Sequence, residues 1–218
     1  MNTKNAVRLV IWDWNGTLQD DARAAWESVN DMLRRRDMPL ITFEQYSSYI
    51  ETPIIGFYRH IFDLSAISFD QLAKEFHEGY ALHMQGRGLM EGAVQVLEGL
   101  RSAGVKQVIV SSGEKNWIMS YAEKYGILGY FDAVLGADDL EAGSKVERAR
   151  AYMERCGAEP CGTLVVGDLL HDAEMAQAIG AQCLLVAKGH QIRAHLEPSG
   201  QPVADDIRQV LDTVLSLR

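Results

Sequence analysis

Cysteine is scarce in this chain and basic charge is outnumbered. The three cysteines, Cys156, Cys161 and Cys183, are an odd number. Cys156 and Cys161 stand too far apart for a redox C-x-x-C pair, and no histidine cluster lies beside them. Buried or half-buried free thiols in a reducing compartment are therefore expected. Lys and Arg number 21 against 30 Asp and Glu, for a formal net charge of −9. That balance argues against a nucleic-acid or anionic-membrane surface. A small anionic substrate stays open, because a metal ion and backbone amides set the local field. Long apolar runs are missing too, and none approaches the roughly 18–20 residues of a membrane span. The run Leu9-Val10-Ile11-Trp12 meets Asp13 directly, with no small-residue cleavage site. No signal peptide is expected, and a cytoplasmic location is. There is no G-x-x-x-x-G-K-[ST] loop, which excludes P-loop nucleotide binding. Internal repeats and low-complexity tracts are absent as well.

What is present reads as a globular enzyme, with 47% apolar and 23% charged residues. The length of 218 residues suits one large domain, or a core with a modest insert. Short β-branched runs at 7–12, 106–110, 132–135, 163–166 and 182–186 predict buried strands. Helical patterns fill 92–103, 114–125, 144–156, 171–179 and 205–217. Strands alternating with single helices predict a Rossmann-like α/β core with a parallel sheet of at least five strands.

Residues 19–88 break the alternation. Asp21 is placed to cap a helix running to about Asp37, with Trp26, Val29 and Leu33 on one face. A further helix near 69–84 carries Leu72, Phe76, Tyr80 and Met84. The expected division is a core of residues 1–18 and 89–218 and a small all-helical cap domain over 19–88, returning through Gln85-Gly86-Arg87-Gly88.

Ligands of open α/β sheets bind beyond the carboxyl ends of the strands. Asp13, Asn15 and Thr17 follow the first strand there. Ser111, Ser112 and Gly113 follow the second. Ser144-Lys145 opens the helix after the third, and Asp168 and Asp172 follow the fourth. Singly, each group is as well explained by a helix cap or a solvated charge. Together they fit one task. Mg²⁺ takes hard oxygen ligands, and Asp13 and Asp168 sit at neighbouring strand ends with Asp172 close behind. Ser111, the amides of the 111–113 turn and Lys145 supply donors and positive charge for a phosphate. Phosphoryl transfer is mostly positioning and charge neutralisation.

With D-W-N-G-T-L at 13–18, V-I-V-S-S at 108–112, S-K at 144–145 and V-V-G-D-L-L-H-D at 165–172, the chain resembles the haloacid dehalogenase superfamily. Within it, the G-D-x-x-H-D-x-E-M-A run at 167–176 looks most like the phosphoglycolate-phosphatase-like branch. The resemblance implies a phosphatase acting on a small phosphorylated metabolite, as a monomer or homodimer. Asp13 would be the nucleophile that becomes an aspartyl phosphate. Mg²⁺ would be held by the Asp13 side chain, the Asn15 backbone carbonyl and Asp168, with Asp172 supporting. Ser111 would bind phosphoryl oxygens, with Thr17, Ser112 and Gly113 beside it, and Lys145 would neutralise nucleophile and phosphoryl group. The insert would close over the site and read the leaving group. Lys74, the lone lysine of the insert, reads as solvated, which argues against the Schiff-base phosphonatase branch. Retention of Asp168 and Asp172 argues against the metal-free dehalogenase branch.

Asn15 departs from the family motif, which has an acid there to protonate the leaving oxygen and activate water. An amide keeps the turn but shuttles no proton, a loss worth about 10²–10⁴-fold. Four explanations stand. The substrate has a good leaving group; another group stands in, from Asp20, Asp21, Glu51 or His190; the protein is a catalytically weakened member that binds a phosphorylated ligand; or the amide was introduced to trap a complex.

Overall fold

The computed structural model describes residues 6–137 and 144–217. Among the described residues the α-helices and strands run in chain order: β1 (Leu9–Trp12), α1 (Ala22–Arg34), α2 (Phe43–Tyr49), α3 (Ile55–Arg59), α4 (Phe69–His83), α5 (Ala93–Ser102), β2 (Lys106–Val110), α6 (Lys115–Lys124), β3 (Ala133–Leu135), α7 (Lys145–Cys156), β4 (Thr163–Gly167), α8 (Leu170–Ile179), β5 (Gln182–Val186), α9 (Arg193–Leu196), β6 (Val203–Ala204) and α10 (Gln209–Ser216). The strands form one sheet in the order β3-β2-β1-β4-β5-β6. Every pairing in it is parallel.

Parallel sheets are covered on both faces, so their strands are apolar throughout rather than alternating. In β1, Val10 and Trp12 face the cluster that holds Leu97 and Leu100 of α5 and Val210 of α10. Leu9 and Ile11 face the opposite cluster, with Ala149 and Met153 of α7 and Met175 of α8. The sheet order reverses between β1 and β4, where Trp12 pairs with Val166. That switch point puts Asp13 and Asp168 side by side at the carboxyl ends.

The five expected strands are present, and β6 is a sixth. Helices α1–α4 carry an apolar cluster of their own, including Val29, Met32, Phe57, Leu72 and Tyr80. Asp21 stands at the N-cap of α1, but its side chain does not cap the helix. It turns instead toward Asn15 and Gly16. The chain leaves and re-enters the sheet layer side by side: Gln19 bridges Leu89 antiparallel, and the Asp20 N–H donates to the Gly88 carbonyl at 3.0 Å. Away from this crossing, the Ile192 N–H donates to Ser47 Oγ at 2.9 Å, and Ser47 Oγ lies 2.8 Å from His195 Nδ1. These contacts tie α2 to the segment after β5. Cys183 is buried and Cys156 half-buried, as expected, whereas Cys161 is exposed. Among the described residues, no helix is long and apolar enough to cross a membrane.

Candidate active site

Four strand ends and the start of one helix converge on a single cavity of about 840 Å³, lined by Asp13, Asn15, Ser111, Lys145 and His190 among others. Lys145 is the first residue of α7, whose N-terminus is fixed by a capping box between Ser144 and Glu147. Its ammonium is buried and donates to Asp13 Oδ1 at 2.7 Å and to Asp172 Oδ1 at 2.6 Å. Burial alone would lower the lysine pKa; Asp13 and Asp172 outweigh it and hold Lys145 above its ordinary value.

Asp13, Asp168 and Asp172 each offer an oxygen within 4.8 Å of the others. Burial, with the charge of Asp172 adding, raises the Asp13 carboxyl to about 6 despite the nearby lysine. Burial likewise raises Asp168 to about 7, with Asp13 and Asp172 adding. Three buried hard-oxygen donors, two of them with pKa values raised by burial and by one another's charge, suit a divalent cation such as Mg²⁺. The surroundings of Asp168 are built closely around it. Thr17 Oγ1 donates to Oδ1 at 2.9 Å, and the His190 N–H donates to Oδ2 at 2.6 Å. A Cβ at either Gly16 or Gly189 would lie 2.2 Å from Asp168 Oδ2. Gly16 also has a φ of +70°, where a side chain is strained.

Not every expected residue reaches the cavity. Thr17 is fully buried beneath it, and its hydroxyl is spent on Asp168, so it orients that carboxylate rather than touching a ligand. Asp172 is fully buried. Its Oδ2 accepts the N–H groups of Asp168 and Leu169 at 3.1 and 3.0 Å while Oδ1 takes the lysine. That geometry braces the β4 loop and Lys145. Ser111, Ser112 and Gly113 line the cavity, with the Gly113 N–H donating to Ser111 Oγ at 3.1 Å.

Asn15 sits in a network that the sequence only partly disclosed. Its Nδ2 donates to Asp21 Oδ2 at 2.6 Å, and Tyr80 Oη donates to the same oxygen at 2.7 Å. The Gly16 N–H donates to Asp21 Oδ1 at 2.6 Å, and His190 Nε2 lies 3.5 Å from that atom. His190 Nδ1 is 2.8 Å from Tyr46 Oη. Burial opposes the charge on His190, but Asp21, and then Asp168 and Asp13, outweigh it and lift the imidazole to about 9. Burial opposes the Asp21 charge too, and His190, Asn15 and Tyr80 together keep that carboxyl below its usual range. Of the other groups weighed as replacement acids, Glu51 lies exposed at the cavity rim, 3.5 Å from His60. Asp20 is half-buried at the crossing to Gly88. Tyr46 carried no signal in the sequence, and Tyr80 read only as one position of an apolar helix stripe. Trp12 and Trp14 are buried in the core, their indole N–H groups donating to Gln107 Oε1 and Gln19 Oε1, and Trp14 also borders the cavity.

A family profile for haloacid dehalogenase-like hydrolases matches residues 10–186, from within β1 to the end of β5. The chain belongs to this family. A haloacid dehalogenase-like family protein of Streptococcus pneumoniae superposes with a TM-score of 0.81, covering 98% of this chain and 99% of that one, at 18% identity. A phosphoglycolate phosphatase of Rhodobacter capsulatus is 26% identical over 84% of this chain and 85% of its own length. The tyrosine-protein kinase PtkA of Mycobacterium tuberculosis is 27% identical over 94% of this chain and 72% of its own. The α/β architecture is thus shared at low sequence identity.

Proposed function

We propose that the protein is a Mg²⁺-dependent phosphatase that hydrolyses a phosphate monoester of a small metabolite through an aspartyl phosphate on Asp13. The observation that carries this reading is the buried Asp13–Lys145–Asp172 bridge opening onto the Ser111–Gly113 turn. Asp13 attacks phosphorus, Lys145 neutralises nucleophile and transferred group, and Ser111 with the turn amides binds the phosphoryl oxygens. Asp13, the Asn15 main-chain carbonyl and Asp168 would hold Mg²⁺, with Asp172 bracing the loop behind them. The bound ion would supply charge neutralisation at the phosphoryl oxygens. We place this activity in the cytoplasm, in a monomer or homodimer that needs neither nucleic acid nor membrane.

The test is phosphate release from a panel of esters with and without Mg²⁺, beginning with phosphoglycolate because several relatives carry that name. Release that depends on Mg²⁺ and is lost with Asp168→Ala supports the reading. Release indifferent to Mg²⁺ in both proteins moves the chemistry elsewhere. Asn15 favours one second reading, a weakened member that binds a phosphorylated ligand. In that case wild type is nearly silent, and Asn15→Asp switches it on.

A further inference from the structure

The cavity extends from Asp13 into the layer formed by α2–α4, and there its character changes. The walls above the nucleophile are made by Ile54, Phe57, Phe69, Phe76, Tyr80 and Trp117. Trp117 is 44% exposed, a large aromatic left open at the mouth beside His77, 6.1 Å between ring centroids. Among the described lining residues, Lys145 is the sole lysine or arginine, and it is already committed to Asp13 and Asp172. The basic run Arg34-Arg35-Arg36 lines no part of the cavity. Arg36 is held by Glu75 in a two-pronged pair at 2.7 and 2.8 Å, and Arg34 by Asp31. The exposed acidic residues at the rim, Glu51 and Glu114, carry the wrong charge for a second anion.

A short hydroxy acid such as glycolate presents a carboxylate, which needs a buried cation or a set of donors to leave water. Among the described residues, the walls over α2–α4 offer no lysine or arginine, and the buried imidazole of His190 at the floor is already taken up between Asp21 and Tyr46. A volume of about 840 Å³ lies in the range that holds drug-sized ligands. Asn15 adds an independent constraint at the other end of the substrate. Its amide, fixed by Asp21 and Tyr80, has no proton to give a departing oxygen, and the His190 ring beside it is engaged at both nitrogens, by Asp21 and by Tyr46. An alkyl alcohol is about as weak an acid as water, so its oxygen leaves poorly unprotonated. A phenol, with a pKa of about 10 as in tyrosine, leaves far more readily as its anion.

On these grounds, and resting on the phosphatase reading above, we propose that the substrates are phosphate monoesters of uncharged aryl alcohols, the ring seated among the α2–α4 aromatics and Trp117. In the first step an Asp13 oxygen bonds to phosphorus, the phosphorus–aryl oxygen bond breaks, and the electron pair leaves on the phenolate. In the second, water adds to phosphorus, the bond to Asp13 breaks, and the carboxylate is restored. Both protons of the water depart with the phosphate as dihydrogen phosphate, which loses one to bulk solvent.

The test compares kcat and KM, with Mg²⁺, for phenyl, 1-naphthyl and benzyl phosphate, phosphoglycolate and acetyl phosphate. Acetyl phosphate has a good leaving group and no ring. Expected are kcat/KM values for the two aryl esters at least about 10²-fold above phosphoglycolate. Benzyl phosphate has the ring but an alkyl oxygen, and is expected to match phenyl phosphate in KM while falling in kcat. Trp117→Ala, at an exposed position, is expected to raise KM for 1-naphthyl phosphate by about 2–10-fold, and less for phenyl phosphate. Preference for phosphoglycolate, or benzyl and phenyl esters turned over alike, overturns the aryl assignment and leaves the phosphatase reading standing. An equal effect of Trp117→Ala on both aryl esters overturns the seating of the ring. If no ester is cleaved, acetyl phosphate included, the phosphatase reading itself fails and the aryl assignment goes with it.

Discussion

Asp13 and Asn15 stand two residues apart with opposite prospects under substitution. Asp13→Asn removes the proposed nucleophile while keeping its shape, so phosphate release is expected to drop by at least about 10³-fold. Residual activity above a few per cent of wild type would take the nucleophile's role from Asp13. Asn15→Asp is not the simple restoration of an acid that the family motif suggests. The amide nitrogen lies 2.6 Å from the buried Asp21 carboxylate, and the substitution sets two carboxylates against each other. Like charges at such a distance raise the pKa of the pair in the folded state. The folded variant then holds a proton that the unfolded chain releases near pH 4. Its deficit against wild type is small below that pH and grows as pH rises. A loss of about 1–3 kcal/mol is expected at pH 8, and less at pH 5, read by thermal unfolding at both values. A uniform deficit would mean that Asp21 had moved away.

At the scale of elements, the site depends on loops being able to approach one another. Gly189, just beyond β5, lets its own backbone and the His190 N–H close on Asp168. Gly189→Ala would drive a methyl group into Asp168 Oδ2, so Mg²⁺ affinity is expected to fall about 10–100-fold, measured by calorimetric titration. An unchanged affinity would detach Asp168 from the ion. Elements also decide what could be read in advance. The five longer strands were legible because parallel strands buried on both faces are short unbroken apolar runs. Two-residue β6 is too short to show any period. Helices α2 and α3, of seven and five residues, are likewise below the length at which a 3.6-residue repeat declares itself. The strand-end residues were legible because chemistry collects there. Tyr46 and Tyr80 were not, because a tyrosine in a helix looks the same whether its hydroxyl meets solvent or, as here, His190 and Asp21 respectively. Thr17 misled for a related reason: sequence places it beside the site, and only the packing turns its hydroxyl toward Asp168.

For the whole molecule, the buried carboxylates couple folding to pH and, on the proposed reading, to Mg²⁺. Asp13 at about 6 and Asp168 at about 7 bind protons more tightly folded than unfolded. The metal-free protein therefore loses stability as pH rises from about 4 to 7, and His190, lifted to about 9, continues the decline above its ordinary value of 6.5. Mg²⁺ requires the carboxylates deprotonated and offsets their repulsion. At a hundredfold excess over its Kd it adds about 2.7 kcal/mol, or roughly 5–10 °C in Tm for a chain of this size. That shift is expected at pH 8 and largely absent at pH 5.5, in thermal scans with and without the ion. An equal shift at both would place the ion away from these carboxylates. The crossing at Gln19 and Leu89 has a consequence of another kind. The 70 or so residues between leave and return as neighbours on an antiparallel pair, a spacing that a two-residue turn can close. No strand need be rerouted if that excursion is replaced, lengthened or cut away. The joint itself would accept such a change, while Asp21, Tyr46 and Ser47, which reach from this segment to Asn15, His190 and Ile192, are what an exchanged segment would have to replace.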